Sequence, residues 1–344
     1  MPSGGGLTTT RAVTVLNEKI EGRALITGAS GFIGGNLRSA LLDAGADVVA
    51  IRRGSSPAPS EGRSVVADYA DVDGLTEVMR TEKPDWVFHV AGATKGVTYE
   101  DFQRANVMPT RHLLEALRAA HPEVKRFILV SSLAAYGPSA AERPHREGDA
   151  PKPIEHYGRS KLEAEELLRA TPSIPWTVIR PGGVYGPGDV DYFNLFKEVE
   201  KGRNVFFGNE DRWFSAVYVD DLVRAIVEAA RSESAARKSY FICDGRPVTW
   251  GTFQQAIVEA SGRKVMKLSL PEFLVDLAAI GGELATKVDK KPRLFNRQKA
   301  KMGAQEAWTC RHDAAREDFG YAPEVPIEEG VRRALAWYRE HRWV

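Results

Sequence analysis

The chain has 344 residues, 43% of them hydrophobic, enough for a large core in one big domain or in a domain with a smaller partner. Its 47 Lys and Arg balance 46 Asp and Glu, a net charge of +1 with no block of one sign, which argues against nucleic acid or a membrane surface as its partner. Two cysteines, Cys243 and Cys310, stand far apart without metal-ligand spacing, so no disulfide scaffold and no metal is expected, and a reducing compartment is.

Taken in chain order, the first residues, MPSGGGLTTT, read as loose, and residues 1–20 as a disordered start without the apolar core of a signal peptide. Apolar runs rich in β-branched residues then predict strands at ALIT (24–27), DVVAI (47–51), SVVA (64–67), WVFHVA (86–91), RFILVSS (126–132) and WTVIRP (176–181). Between them lie helical patterns. Ile33, Leu37, Ala40, Leu41 and Ala44 share one face, and Gly45 follows as a stop signal. Leu113, Leu114 and Leu117 mark a second helix, and Leu162, Leu167 and Leu168 a third, ended by Thr171-Pro172. Strands alternating with helices predict a parallel sheet covered on both faces.

The rhythm changes after residue 181. YFIC (240–243) predicts a late strand, Thr249 a helix cap, and residues 328–340 a final helix. Residues 21–181 therefore read as one doubly wound α/β unit. Residues 182–344 read as a smaller α/β substrate-binding part, with about 216–243 returning to the main sheet. The apolar run at 270–284 is too short for a bilayer and carries three acids, so a cytoplasmic protein is expected.

TGASGFIGG places Gly28, Gly31 and Gly34 between the first strand and the first helix. Glycines there allow a tight turn and close approach to a pyrophosphate. The helix starting at Phe32 and Ile33 then aims its N–H groups at the phosphates. The second strand ends in Arg52 and Arg53, where an NAD enzyme usually carries an acid for the ribose. A guanidinium suits a 2′-phosphate instead, which favours NADP(H) and leaves NAD(H) as the alternative.

HYGRSK holds Tyr157 and Lys161 at i and i+4, on one helix face. A free phenol has a pKa of about 10, too high for a base at neutral pH. A neighbouring ammonium, together with an oxidised nicotinamide, is expected to bring it down. Ser131 and Ser132, at a strand's C-terminal end, supply hydroxyls to orient a substrate oxygen. Two nearby histidines, His89 and His156, read as structural.

In family order the chain carries TGASGFIGGNL, VFHVAGAT, ANVMPTRHLLEAL, ILVSSLAAYGPS, HYGRSKLEAE, IRPGGVYGPG and AVYVDDLVRAI. With these it resembles the extended, epimerase-like branch of the short-chain dehydrogenase/reductase superfamily over about residues 23–230. The resemblance implies a Rossmann-type doubly wound sheet. It implies that Tyr157 is the acid/base, Lys161 its partner, and Ser132 the hydroxyl that holds the reacting oxygen. It also implies a structural role for Asn106 beside the proton relay and an adenine contact for Asp68. Ala91, Gly92 and Ala93 would pass under the cofactor, and Pro181 and Val184 would touch the nicotinamide end. A homodimer through helices at about 102–120 and 157–170 is implied as well.

Within that branch, 4,6-dehydratases follow the catalytic hydroxyl with an Asp-Glu pair, and Leu133 and Ala134 stand there instead. Nucleotide-sugar enzymes usually carry an Asn for the diphosphate in the segment that reads RPGGVYG here, where Gly183 takes its place. The expected activity is an NADP(H)-dependent oxidoreductase interconverting a small-molecule ketone and secondary alcohol. The alternatives are an NAD-dependent nucleotide-sugar epimerase and, more remotely, a non-catalytic nucleotide sensor. Tyr185 and Arg212 are the candidate substrate contacts. The aromatic residues Tyr192, Phe193, Phe206, Phe207, Trp213, Phe214 and Trp250 suggest an apolar pocket.

Overall fold

A computed structural model describes residues 16, 18–59, 61–272 and 297–344; residues 273–284 of the apolar run lie outside them. All seven predicted strands form, YFIC as part of β11. The first part runs β1 (Arg23–Thr27), α1 (Phe32–Asp43), β2 (Asp47–Arg52), β3 (Arg63–Val66), α2 (Val72–Glu82), β4 (Trp86–His89), α3 (Tyr99–Phe102), α4 (Met108–Ala120), β5 (Arg126–Val130), α5 (His156–Arg169) and β6 (Trp176–Pro181). It continues with β7 (Gly183–Tyr185), α6 (Phe193–Glu200), β8 (Arg203–Phe207), β9 (Trp213–Phe214), β10 (Ala216–Tyr218), α7 (Val219–Arg231) and β11 (Lys238–Ile242). Thr249 caps the next helix, Trp250–Ser261, as its sequence predicts, accepting the Thr252 N–H at 3.1 Å. The last helix is Ile327–Glu340.

Seven strands make one sheet in the order β3-β2-β1-β4-β5-β6-β11, and every neighbouring pair is parallel. Alternate side chains take opposite faces. Ile128 and Val130 of β5 join the core beneath α1 and α7, while Phe127 and Leu129 join the core beneath α2, α4 and α5. Both faces are thus covered, which is why these strands read as continuous apolar runs. The α1 helix ends as its sequence predicts, with Gly45 at φ +86° just beyond Ala44.

Of residues 216–243, expected to return to the main sheet, α7 packs on one of its faces and the two strands part. β11 is the edge strand beside β6, but β10 pairs with β7 in a separate ladder. The backbone changes partner between two glycines. Gly182 donates to the Ile242 carbonyl at 3.0 Å, and Gly183 to the Ser215 carbonyl at 2.8 Å. A side chain on Gly182 would strike the Ser215 carbonyl. A third apolar cluster holds the C-terminal part, with Tyr185, Phe214, Tyr218, Phe253 and Tyr338 among its members. No helix among the described residues is long and apolar enough to cross a membrane.

Candidate active site

The sheet order reverses between β1 and β4, and ligands of such sheets bind outside the strand ends at that point. Gly28 lies there at φ +73°, and a Cβ on it would approach the Ala91 nitrogen to 2.7 Å. Gly34 packs so tightly under the loop that a Cβ would strike the Gly28 carbonyl. Gly31 caps α1 with extended backbone. No side chain caps that helix, and its first turn carries no acid. Its first N–H groups are left for an anion, so the loop fits a pyrophosphate. Phe32 and Ile33, with Val90 and Val184, are only partly buried where they meet the core. Pro181 is buried at the end of β6.

The loop after β4 is held from two sides. The Thr27 hydroxyl accepts the Ala91 N–H at 3.2 Å. Asn106 accepts the Ala93 N–H at 2.7 Å and donates to the Ala93 carbonyl at 3.1 Å and to the Ser160 hydroxyl at 2.8 Å. A Cβ on Gly92 would come within 2.8 Å of Asn106 Oδ1 and 3.2 Å of Lys161 Nζ. Asn106 reaches the loop from a π-helical turn, Gln103–Val107, that joins α3 to α4. Such turns recur at functional sites, and no periodicity in the sequence announces this one. His89 is structural, as expected. It bridges Thr27 at 2.7 Å and Thr110 at 3.1 Å, and burial with the Lys161 charge lowers it to about 3.

Tyr157 and Lys161 come from the first turns of α5. Glu155 caps that helix, accepting the N–H groups of Tyr157 and Gly158 at 2.6 Å each. Glutamate is not a usual cap, which is why the sequence does not reveal it. Lys161 Nζ is buried 5.9 Å from the centre of the Tyr157 ring and donates to the Val130 carbonyl at 2.9 Å. Burial lowers the ammonium to about 8. The phenol departs from expectation. Burial pushes Tyr157 up to about 12; the Ser132 hydroxyl draws it down, while Glu155 and Asp191 add to the rise. Desolvation of the buried phenolate outweighs the hydrogen bond that draws it down. Ser132, partly exposed, is thus beside Tyr157, as the motif order suggests.

Other expected contacts are placed differently. Arg52 is tied into its own loop, donating to the Ser56 carbonyl at 3.0 Å and to the Ser64 hydroxyl at 3.4 Å. Arg53 is exposed instead. Tyr69, which sequence reasoning missed, neighbours Gly28, Thr27 and Arg53; burial pushes its phenol up to about 12 against their pull. The exposed Asp68 carboxylate accepts the Ala70 N–H at 2.9 Å within its own turn. The Ser131 hydroxyl turns away from the site to Glu165, at 2.6 Å. Tyr185 is 1% exposed in the third core, against Tyr218 and Phe253, so it is a packing residue. Arg212 pairs with Glu272 at 2.6 Å and donates to the Gly303 carbonyl at 2.5 Å. Of the expected pocket aromatics, Phe214 stacks on Trp250 at 4.3 Å and packs into the core with Tyr192.

A doubly wound sheet with an open glycine loop at its switch point defines a dinucleotide-binding α/β protein. The particular assignment comes from its relatives. The chain belongs to the NAD dependent epimerase/dehydratase family, whose model matches residues 24–243. It is 30% identical to a 3 beta-hydroxysteroid dehydrogenase/Delta 5→4-isomerase of Mycobacterium tuberculosis, over 92% of this chain and 90% of that one. It is 28% identical to a ceramide reductase of Caulobacter vibrioides, over 94% and 96% of the two chains. In fold it is similar to a UDP-glucose 4-epimerase of Thermotoga maritima, with a TM-score of 0.78 and 24% identity over 93% of this chain and 99% of that one. The protein is an NAD(P)-dependent oxidoreductase of the extended short-chain dehydrogenase/reductase type.

Proposed function

We propose that the protein is an NADP(H)-dependent reductase that interconverts a ketone and a secondary alcohol on a small, largely apolar molecule. The observation that carries this reading is at Gly183. A Cβ there would strike the Tyr192 hydroxyl, and Tyr192 lies beside the stacked pair Phe214–Trp250, with ring centres 6.3 and 5.9 Å away. Position 183 has no room for the asparagine that a nucleotide-sugar epimerase uses, and the surrounding wall is aromatic. The relatives named as a hydroxysteroid dehydrogenase and a ceramide reductase point the same way.

The glycine loop and the start of α1 would hold the pyrophosphate, with Arg53 at the ribose 2′-phosphate. The bound nicotinamide supplies or accepts the hydride. Ser132 donates a hydrogen bond to the substrate oxygen. Tyr157 passes the proton, and a phenol held near 12 is protonated at neutral pH, ready to donate during reduction. Lys161, lowered only to about 8, still carries its charge there and is placed to steady the phenolate left behind. A non-catalytic sensor would need none of these three groups together. The reading includes a homodimer through α4 and α5.

Fluorescence titration with NADPH and NADH tests the reading. NADPH is expected to bind at least about tenfold more tightly, the worth of one or two charge-assisted hydrogen bonds. Arg53→Ala should erase the preference. Tyr157→Phe should keep NADPH affinity and lose ketone-dependent NADPH oxidation. Equal affinities, or NAD retained through purification, would refute the NADP(H) assignment. A Tyr157→Phe protein with full turnover would refute the acid/base role.

A further inference from the structure

The two cysteines, distant in sequence, meet in the fold. Cys243 follows the last residue of β11, and Cys310 follows the short strand Ala307–Trp308; both are buried. The Cys243 thiol lies 3.3 Å from the Cys310 carbonyl oxygen and 3.6 Å from His312 Nδ1. The proton affinity of each thiol is set first by the other. The backbone around them is pinned. Ser215 Oγ accepts the Cys310 N–H at 3.1 Å and donates to the Cys310 carbonyl at 3.3 Å, and the Tyr321 hydroxyl donates to the Cys243 carbonyl at 3.1 Å. Leu133, Ala135, Tyr136 and Phe241 enclose the pair in one apolar cluster. It therefore sits beneath the turn that follows Ser132.

The surroundings make the two sulfurs unequal. Cys243 is drawn below the ordinary thiol range, first by the Cys310 thiol and then by His312, against the cost of burial. Cys310 is pushed up by the same neighbour and by burial. One thiolate beside one protonated thiol is the arrangement that thiol oxidation needs.

We propose that Cys243 and Cys310 form a redox-sensitive dithiol, set up by His312, which a hydroperoxide converts into an intramolecular disulfide joining the end of β11 to the C-terminal segment. The Cys243 thiolate attacks the peroxide oxygen, the O–O bond breaks, and the leaving oxygen takes the proton that the thiol had given to His312 and departs as water or an alcohol, giving the sulfenic acid. The Cys310 sulfur then attacks that sulfur, the S–O bond breaks, and water departs with the Cys310 proton. Both sulfurs are oxidised and the hydroperoxide is reduced. Because both thiols are buried, the reaction is gated by local opening and is slow at low oxidant.

The test is a peptide map of the native full chain after treatment with hydrogen peroxide, with alkylation of free thiols under denaturing conditions. A Cys243–Cys310 crosslinked peptide, two hydrogens lighter and released by dithiothreitol, is expected. His312→Gln should slow its formation about tenfold by lowering the thiolate fraction. The readout does not depend on enzymatic activity. Two fully alkylated cysteines, or an oxidised Cys243 with Cys310 still free, would overturn the proposal. Crosslinking at an unchanged rate in His312→Gln would overturn the role given to that residue.

Discussion

Behind the site, Arg180 and Glu165 form an ion pair that is 1% and 0% exposed, with bonds of 3.0 and 2.7 Å. Arg180→Met removes the guanidinium and leaves a buried carboxylate. Breaking such a pair typically costs about 3–5 kcal/mol. Two partners remain to Glu165, the Ser131 hydroxyl at 2.6 Å and the half-exposed Arg169 at 2.8 Å. They hold the expected loss to about 3 kcal/mol, the low end of that range. That is a large share of a typical folding free energy of about 5–15 kcal/mol. Urea unfolding followed by tryptophan fluorescence measures it. The double variant Glu165→Met, Arg180→Met removes the stranded charge, so it should be more stable than the sum of the single losses by about 2 kcal/mol. A single variant within about 1 kcal/mol of the parent, or strictly additive losses, would refute the account.

Lys161 gives a pH signature. Its folded value, about 8, lies below the ordinary 10.5, so the charge is present at neutral pH and is lost as pH rises through about 8. NADPH affinity should therefore fall severalfold between pH 7 and pH 9, while Lys161→Arg, which stays charged, should show a flat profile; a flat parent profile would contradict this. The same depression means that the charged lysine costs stability below pH 8, and that this cost is relieved as pH rises from about 8 towards 10.5. In the glycine loop, Gly34→Ala should cost about a hundredfold in dinucleotide affinity because its methyl would strike the Gly28 carbonyl. Gly35→Ala, whose methyl would sit 3.5 Å from the Ala29 carbonyl, should bind normally; equal losses in isothermal titration would refute the steric argument.

What the sequence determined alone is what short-range chain geometry can encode. Apolar runs marked seven strands, i, i+4 spacing put Tyr157 and Lys161 on one helix face, and glycines between β1 and α1 marked the loop. Each depends only on residues a few positions apart. The tertiary structure decided the rest, because the partners come from distant segments. It tied Arg52 to Ser56 and Ser64 and left Arg53 exposed. It turned Ser131 inward to Glu165 and sent Tyr185 into the core although its aromatic neighbours suggested a pocket. It laid Tyr192 over Gly183 and brought Cys243 to Cys310. It also set the Tyr157 phenol, where the Lys161 spacing suggested a lowered value and desolvation raised it. Burial is a property of everything packed around a group, and no local pattern along the chain carries it.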